Sequence, residues 1–463
     1  MWRTLFRRRA VLLRRSADDA PYPQTHSVQQ GFAQHPIFVL NVAKRFVKFS
    51  FIGLALLGST TAVAFEATHA WVENVELKKK EKEDAEVSAW EWDVDAEKWN
   101  GDDQKGGTDP GLGIRGRHCV RGAWMALNWG VGESTAVIGS DVSGDGLLGP
   151  RGLVIIDPRL VRAEDGLRTA IEIAEERSRE LQAWTLPRLR SLHASVLERM
   201  GASSSLVAKV EYERAWDCQP EFTNESARLA MKLGDLCFRL GENDSAMAWW
   251  AKAVGSDQPL HSPASMPPSP SAQRTLLSIL TSCSALYARS AKFKEGRALD
   301  EAAFNLVRSV RHPENMSSVS PAHALHALTL LHRSSVFCIH RAEVSHALKE
   351  KRPVSIQWLS TAAQSSERVA RALAINSSPF TDIPVLKRPA TSLLRDARRT
   401  ATEAWNLLGI LHEDVNNQQA LQCYKNAVQW ASKLDTFGEP AEDTLAADWH
   451  IVWGNYTRLC ARH

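Results

Sequence analysis

The sequence predicts an all-α protein, a solenoid of antiparallel helix pairs preceded by one N-terminal transmembrane helix and an irregular Gly-rich segment. Three observations carry this expectation. Phe49 to Phe65 is seventeen residues without a charge, at the short limit for a membrane-spanning helix. From residue 163 onward, apolar residues recur at spacings of three and four, the period of a helix with one buried face. Two segments about 175 residues apart share one pattern of small and aromatic residues. A composition of 24% charged and 44% hydrophobic residues over 463 positions excludes collagen, wholesale disorder and a polytopic membrane protein.

Residues 1–45 read as a basic arm. The net charge of +3 conceals it, because residues 1–48 set nine Lys and Arg against Asp18 and Asp19 alone. The start, MWRTLFRRRAVLLRRS, mixes arginines with apolar residues and holds no acid, which is the composition of a mitochondrial targeting peptide. Residues 46–66 form the transmembrane helix, flanked by Lys44, Arg45 and Lys48 before it and by Glu66, Glu73 and Glu76 after it. That bias puts the N-terminus in the matrix and the C-terminal domain in the intermembrane space, a single pass through the mitochondrial inner membrane. An import receptor of the outer membrane and a signal-anchored protein of the endoplasmic reticulum are the alternatives. Sequons at Asn224, Asn315, Asn376 and Asn455 make glycosylation the test of the latter.

Residues 67–110 read as an acidic stalk. Thirteen Asp and Glu face five Lys between 66 and 103, with Trp90, Trp92 and Trp99 among them. Such a charge run is solvated by default, but three Trp in ten residues suit docking onto the chain's own domain or a partner. Residues 111–220 are expected to be an irregular cap and leading helices, since fourteen of the 26 glycines fall between Gly101 and Gly152. GLGIRG (111–116) follows no strand and so lacks the context of a dinucleotide loop. DVSGDG (141–146) opens like a calcium loop, but Gly152 stands where the bidentate acid is needed. Helices are expected over 163–183, with Leu167, Ile171, Ala174, Ser178 and Leu181 on one face, and over 186–200.

Residues 221–463 carry the repeat. The first copy sets Ala230, Leu233 and Gly234 on one helix and Ala246, Trp250 and Ala253 on the next; the second sets Trp405, Leu408 and Gly409 against Ala420, Tyr424 and Ala427. Both resemble the tetratricopeptide (TPR) repeat, in which small residues let two helices approach and an aromatic fills the gap beside them. A weaker copy lies between, with Tyr287, Gly296 and Ala303, although Asp300 replaces its aromatic. Residues 322–346 and 354–375 form a further helix pair around the turn KEKRP, and DTLAADWHIVWGNYTRLCAR closes the stack with Trp449 and Trp453 facing inward.

Enzyme chemistry is not indicated, and no cofactor or metal is expected. The chain has no P-loop Gly-Lys, no GxSxG and no HExxH. Of the histidines at 323, 326, 332, 340 and 346, only His323 and His326 share a face within one turn, too few for a metal site. The basic clusters at Lys387-Arg388 and Arg395, Arg398 and Arg399 lack interleaved aromatics, so nucleic acid is not an expected partner. The seven cysteines lie at least nineteen residues apart and read as small core residues. A solenoid of this kind works by binding peptide along its concave face. The positions expected to line that groove are Arg228, Met231, Asp235, Phe238 and Arg239 in the first copy, and Glu403, Asn406, Ile410 and Glu413 in the second. Met231, Asp235 and Phe238 break the cationic clamp used for acidic C-terminal tails, so extended or unfolded polypeptide is the expected ligand.

Targeting arm, membrane helix, acidic stalk and TPR repeats in this order resemble the fungal TPR adaptor subunit of the mitochondrial inner-membrane i-AAA protease. The resemblance implies a non-enzymatic adaptor that binds unfolded substrates and delivers them to the AAA protease complex for mitochondrial protein quality control. An import or complex-assembly scaffold is the alternative.

Overall fold

The computed structural model describes residues 34–78, 84–99, 101, 106–130, 137–140, 153–255, 265–310, 319–375, 377–433, 436–440 and 443–461. The targeting arm before residue 34, most of the Lys-Glu run, the DVSGDG segment and two of the four sequons lie outside them. The chain divides at Thr68 into two units.

The first unit holds helix α1 (Gln34–Trp71), which starts earlier and ends later than the expected 46–66 because nothing between Lys44 and Trp71 breaks a helix. It is long and apolar enough to cross a membrane, with a mean hydropathy of 1.6 over its most apolar window. Phe46, Phe49, Phe51, Leu54, Leu57 and Val63 are exposed around it, the surface of a helix whose solvent is not water. Its hydroxyls satisfy themselves: Thr61 Oγ1 donates to the Leu57 carbonyl at 2.8 Å and Ser59 Oγ to Leu56 at 3.1 Å. Such back-bonding removes the cost of a bare donor in an apolar medium.

The second unit is all-helical apart from two short antiparallel hairpins. These are β1 (Val137–Ser140) with β2 (Leu153–Ile156), and β3 (Ser432–Lys433) with β4 (Thr436–Pro440). Short helices α2 (Asp84–Ala89) and α3 (Trp92–Asp95) come first. The Gly-rich region is less irregular than expected, since Gly113–Trp129 is a continuous helix, α4. Val120, Ala123 and Ala126 supply it with a buried stripe, and GLGIRG turns out to be its first turn. Helices α5 (Pro158–Glu176), α6 (Thr185–Arg199) and α7 (Ser205–Asp217) follow. Leu167, Ile171 and Ala174 are buried on α5 as expected, while Ser178 falls beyond its end.

From residue 224 the chain runs as helix hairpins. These are α8 (Asn224–Arg239) with α9 (Asn243–Val254), α10 (Pro270–Arg289) with α11 (Phe293–Ser309), and α12 (Pro321–Ala347) with α13 (Arg352–Ile375). After the single turn α14 (Ser377–Thr381), α15 (Pro384–His412) pairs with α16 (Asn417–Ala431), and α17 (Asp443–Cys460) closes the stack. Starts are set locally. Ser269 and Ser320 cap α10 and α12 ahead of a proline in the first turn, and Thr223 with Ser226 forms a capping box on α8. The first helices of successive pairs, α8, α10, α12 and α15, pack side by side as one layer.

Two glycines explain why the hairpins close so tightly. A Cβ on Gly234 would fall inside the Trp250 indole, and one on Gly409 inside the Tyr424 ring. Both aromatics are fully buried against their glycine. In the weaker copy Gly296 is on the second helix and faces Tyr287 on the first, with 3.5 Å to its Cβ. Asp300, in place of an aromatic, is fully buried and accepts a hydrogen bond from Ser284 Oγ at 2.7 Å. Four of the seven cysteines, Cys237, Cys283, Cys338 and Cys423, are buried, whereas Cys218 and Cys460 are exposed. On α17, Val452 and Leu459 face the stack, with Trp449 and Trp453 stacked beside them at 5.5 Å.

Candidate functional site

The inner layer of α8, α10, α12 and α15 presents a groove, and residues 84–99 lie in it. The segment expected to be a solvated stalk is instead a strap across the stack. Its three tryptophans account for this. Trp92 is 3% exposed, belongs to the core formed by α12, α13 and α15, and donates its Nε1 hydrogen to the Ala322 carbonyl at 2.9 Å. Trp90 stacks on His323 with ring centres 4.0 Å apart. Trp99 enters the separate core of α4, α5 and α6. Burying a large side chain such as Trp92 contributes roughly 2–3 kcal/mol, which outweighs the solvation of the acids around it once those acids are paired.

They are paired by arginines of the inner layer. Arg274 of α10, itself 6% exposed, donates Nε to Asp95 at 2.6 Å, and its two terminal nitrogens to the carbonyls of Trp90 (3.1 Å) and Glu91 (3.0 Å). The same guanidinium lies 3.9 Å from the centre of the Trp92 ring. Arg228 of α8 donates to the Val94 carbonyl at 2.7 Å and approaches Asp95 at 3.5 Å. Arg388 of α15 meets Glu97 at 2.6 Å. Burial pushes the Glu97 carboxyl up, but Arg388, Lys232 and Arg199 outweigh it and leave its pKa below the usual range. Ser271 anchors Glu91 through its backbone N–H and Asp95 through its hydroxyl. The strap is thus held by carboxylate–guanidinium pairs and by contacts to its own carbonyls, the way an extended peptide is held in trans.

Beside the strap the groove stays open as a cavity of about 900 Å³. Arg228, Met231 and Lys232 of α8, Arg274 and Ser278 of α10, Thr329, His332 and Arg333 of α12, and Arg388 and Asp396 of α15 line it. His332 is buried against Thr400 at 3.0 Å, and burial beside Arg333 pushes its pKa down to about 3, so it is neutral at physiological pH.

Of the residues expected from sequence, Arg228 and Met231 line this groove. Asp235 points between helices, accepting from Trp250 Nε1 at 3.1 Å and Ser282 Oγ at 2.8 Å. Burial raises its pKa. Phe238 packs on the core against Trp250 and Arg239 pairs with Glu198. In the second copy the expected positions lie away from the cavity and beside α17: Asn406 accepts from Asn455 at 3.0 Å, Glu413 bridges Tyr424 and Arg458, Glu403 has its pKa raised by burial, and Ile410 is half-exposed. The closing helix takes the space a ligand would need there. Sequence reasoning missed Lys232, Arg274, Arg333 and Arg388. Arg274 could have been found as the cation one turn into the first helix of the weaker copy, the counterpart of Arg228 after Asn224 in the good one.

Four of the five clustered histidines have separate partners: His323 stacks on Trp90, His326 contacts Arg274 and Gln273, His332 contacts Thr400, and His340 contacts Ser284. In comparisons with known proteins, no family model and no curated protein matches the chain.

Proposed function

We propose that this chain is a non-enzymatic, membrane-anchored adaptor with a TPR-like solenoid, which binds extended polypeptide along the concave face of its first helices. The observation that carries the reading is the strap: a sixteen-residue stretch of ordinary polypeptide seated in the groove by side-chain and backbone contacts of a kind another chain can make. The Gly234–Trp250 and Gly409–Tyr424 contacts support the TPR-like assignment, because they use the small–aromatic complementarity of that repeat. The Arg-rich N-terminus and the charge bias around α1 support a mitochondrial inner-membrane location with the solenoid in the intermembrane space.

On the resemblance in domain order, the adaptor serves an inner-membrane AAA protease and delivers unfolded substrates to it. Affinity purification from mitochondria is expected to recover a hexameric AAA protease. Deleting the chain is expected to slow turnover of model intermembrane-space substrates several-fold. Unchanged turnover, or digestion of the solenoid by protease added to intact mitochondria, would overturn the reading.

A further inference from the structure

The strap neutralises some of the groove's cations and leaves others. Lys232 and Arg333 both line the open cavity. Arg333 Nε is buried with no hydrogen-bond partner among the described residues. Burial holds its guanidinium below the ordinary range, and Asp396 and Asp235 only partly offset this. The Lys232 ammonium faces the Tyr212 ring at 5.8 Å. Burial and the neighbouring Arg228 lower its pKa against the pull of Glu97 and Glu198. A buried cation without a partner is costly, and two at one cavity floor are a standing site for anionic groups.

We propose that the open part of the groove binds an acidic, extended segment of a partner polypeptide, with its carboxylates on Lys232 and Arg333 alongside the strap. This rests on the peptide-binding reading above and names the class of peptide. The strap supplies the template, since the filled half of the same groove already seats Asp95 on Arg274 and Arg228 and Glu97 on Arg388. A cavity of about 900 Å³ is at the upper end of the 300–1,000 Å³ typical of ligand sites. Polypeptide fits better than nucleic acid because acids interrupt the cationic lining: Glu76, Asp93 and Asp396 also face the cavity. They would repel a continuous run of phosphates but tolerate a chain of mixed side chains.

The test uses the full chain in detergent micelles and fluorescence anisotropy with three labelled probes: a twelve-residue Asp/Glu-rich peptide with two tryptophans, its Asn/Gln counterpart, and a twelve-nucleotide RNA. The acidic peptide is expected to bind at least tenfold more tightly than the amide version, a difference of 1.4 kcal/mol, and to weaken with salt. Lys232→Met and Arg333→Met are each expected to lower acidic-peptide affinity about tenfold, leaving amide-peptide affinity unchanged. Arg333→Lys restores it, and Arg297→Met on the outer face of α11 has no effect. Equal affinity for the two peptides, no response to the Met variants, or tighter binding of RNA would overturn the proposal. If both peptides bind equally, only the charge preference fails; if neither binds, the peptide-binding reading falls with it.

Discussion

Replacing Arg274 with alanine tests whether the strap is held as described. The guanidinium is 6% exposed and Asp95 lies 2.6 Å away. Removing one partner of a buried pair costs about 3–5 kcal/mol, because the remaining charge stays desolvated. Here the carbonyls of Trp90 and Glu91 also lose their donors. Asp95→Asn is expected to cost less, about 1–2 kcal/mol, since Arg228 and Ser271 still contact residue 95. The two substitutions share one interaction, so the double variant is expected to fall short of additivity by about 1.5 kcal/mol or more. Urea unfolding of the full chain supplies the three free energies. Hydrogen exchange adds a local readout: amides in 84–99 should lose protection by one to two orders of magnitude in Arg274→Ala, at 1.4 kcal/mol per tenfold. Costs that add to within 0.5 kcal/mol, or unchanged exchange in the strap, would refute the reasoning.

Three further outcomes are expected. Gly234→Ala and Gly409→Ala should each destabilise by about 1–3 kcal/mol through overpacking against Trp250 and Tyr424, whereas Gly296→Ala, with 3.5 Å of room, should be neutral or gain up to about 1 kcal/mol; equal thermal midpoints for all three would contradict the close packing. Asp300 is fully buried, and burial raises its pKa to about 7 against the help of Ser284 and Arg341. Between the unfolded value near 3.8 and about 7, the folded state keeps a proton that the unfolded chain has released, so this group's contribution is full below pH 4 and lost as pH rises to 7, on the order of 4 kcal/mol. His340, whose pKa burial lowers to about 4, acts in the opposite sense, so the measurement is the difference between wild type and Asp300→Asn: the variant should gain relative stability from pH 4 to 7, and parallel profiles would dismiss the effect. Finally, Leu57→Arg, at an exposed apolar position of α1, should cost about 2.5–3.5 kcal/mol of membrane insertion and move the chain into the alkaline-carbonate supernatant; full retention in the pellet would argue against a spanning helix.

Features that depend on neighbours in sequence were legible before any coordinates. The uncharged run and its lopsided flanks, the hairpin turns, the Gly–aromatic pairs of two helix pairs and the start of the groove at Arg228 all rest on spacing within about thirty residues, where helix geometry alone says which side chains meet. Local preference failed where tertiary contact reversed it. The charge run at 84–99 should be solvated by composition, yet Trp90, Trp92 and Trp99 reach three different parts of the stack, and arginines more than 130 residues away neutralise its acids. Glycine abundance suggested irregular chain at 113–129, but a buried stripe of Val120, Ala123 and Ala126 made it a helix. By itself the sequence determined the helical class, the apolar helix and the period of the repeat, because each follows from short-range periodicity. Only the tertiary structure decided which groove is open. That depends on what α17 covers, what the strap fills and which buried cations are left without a partner, and no local pattern encodes any of these.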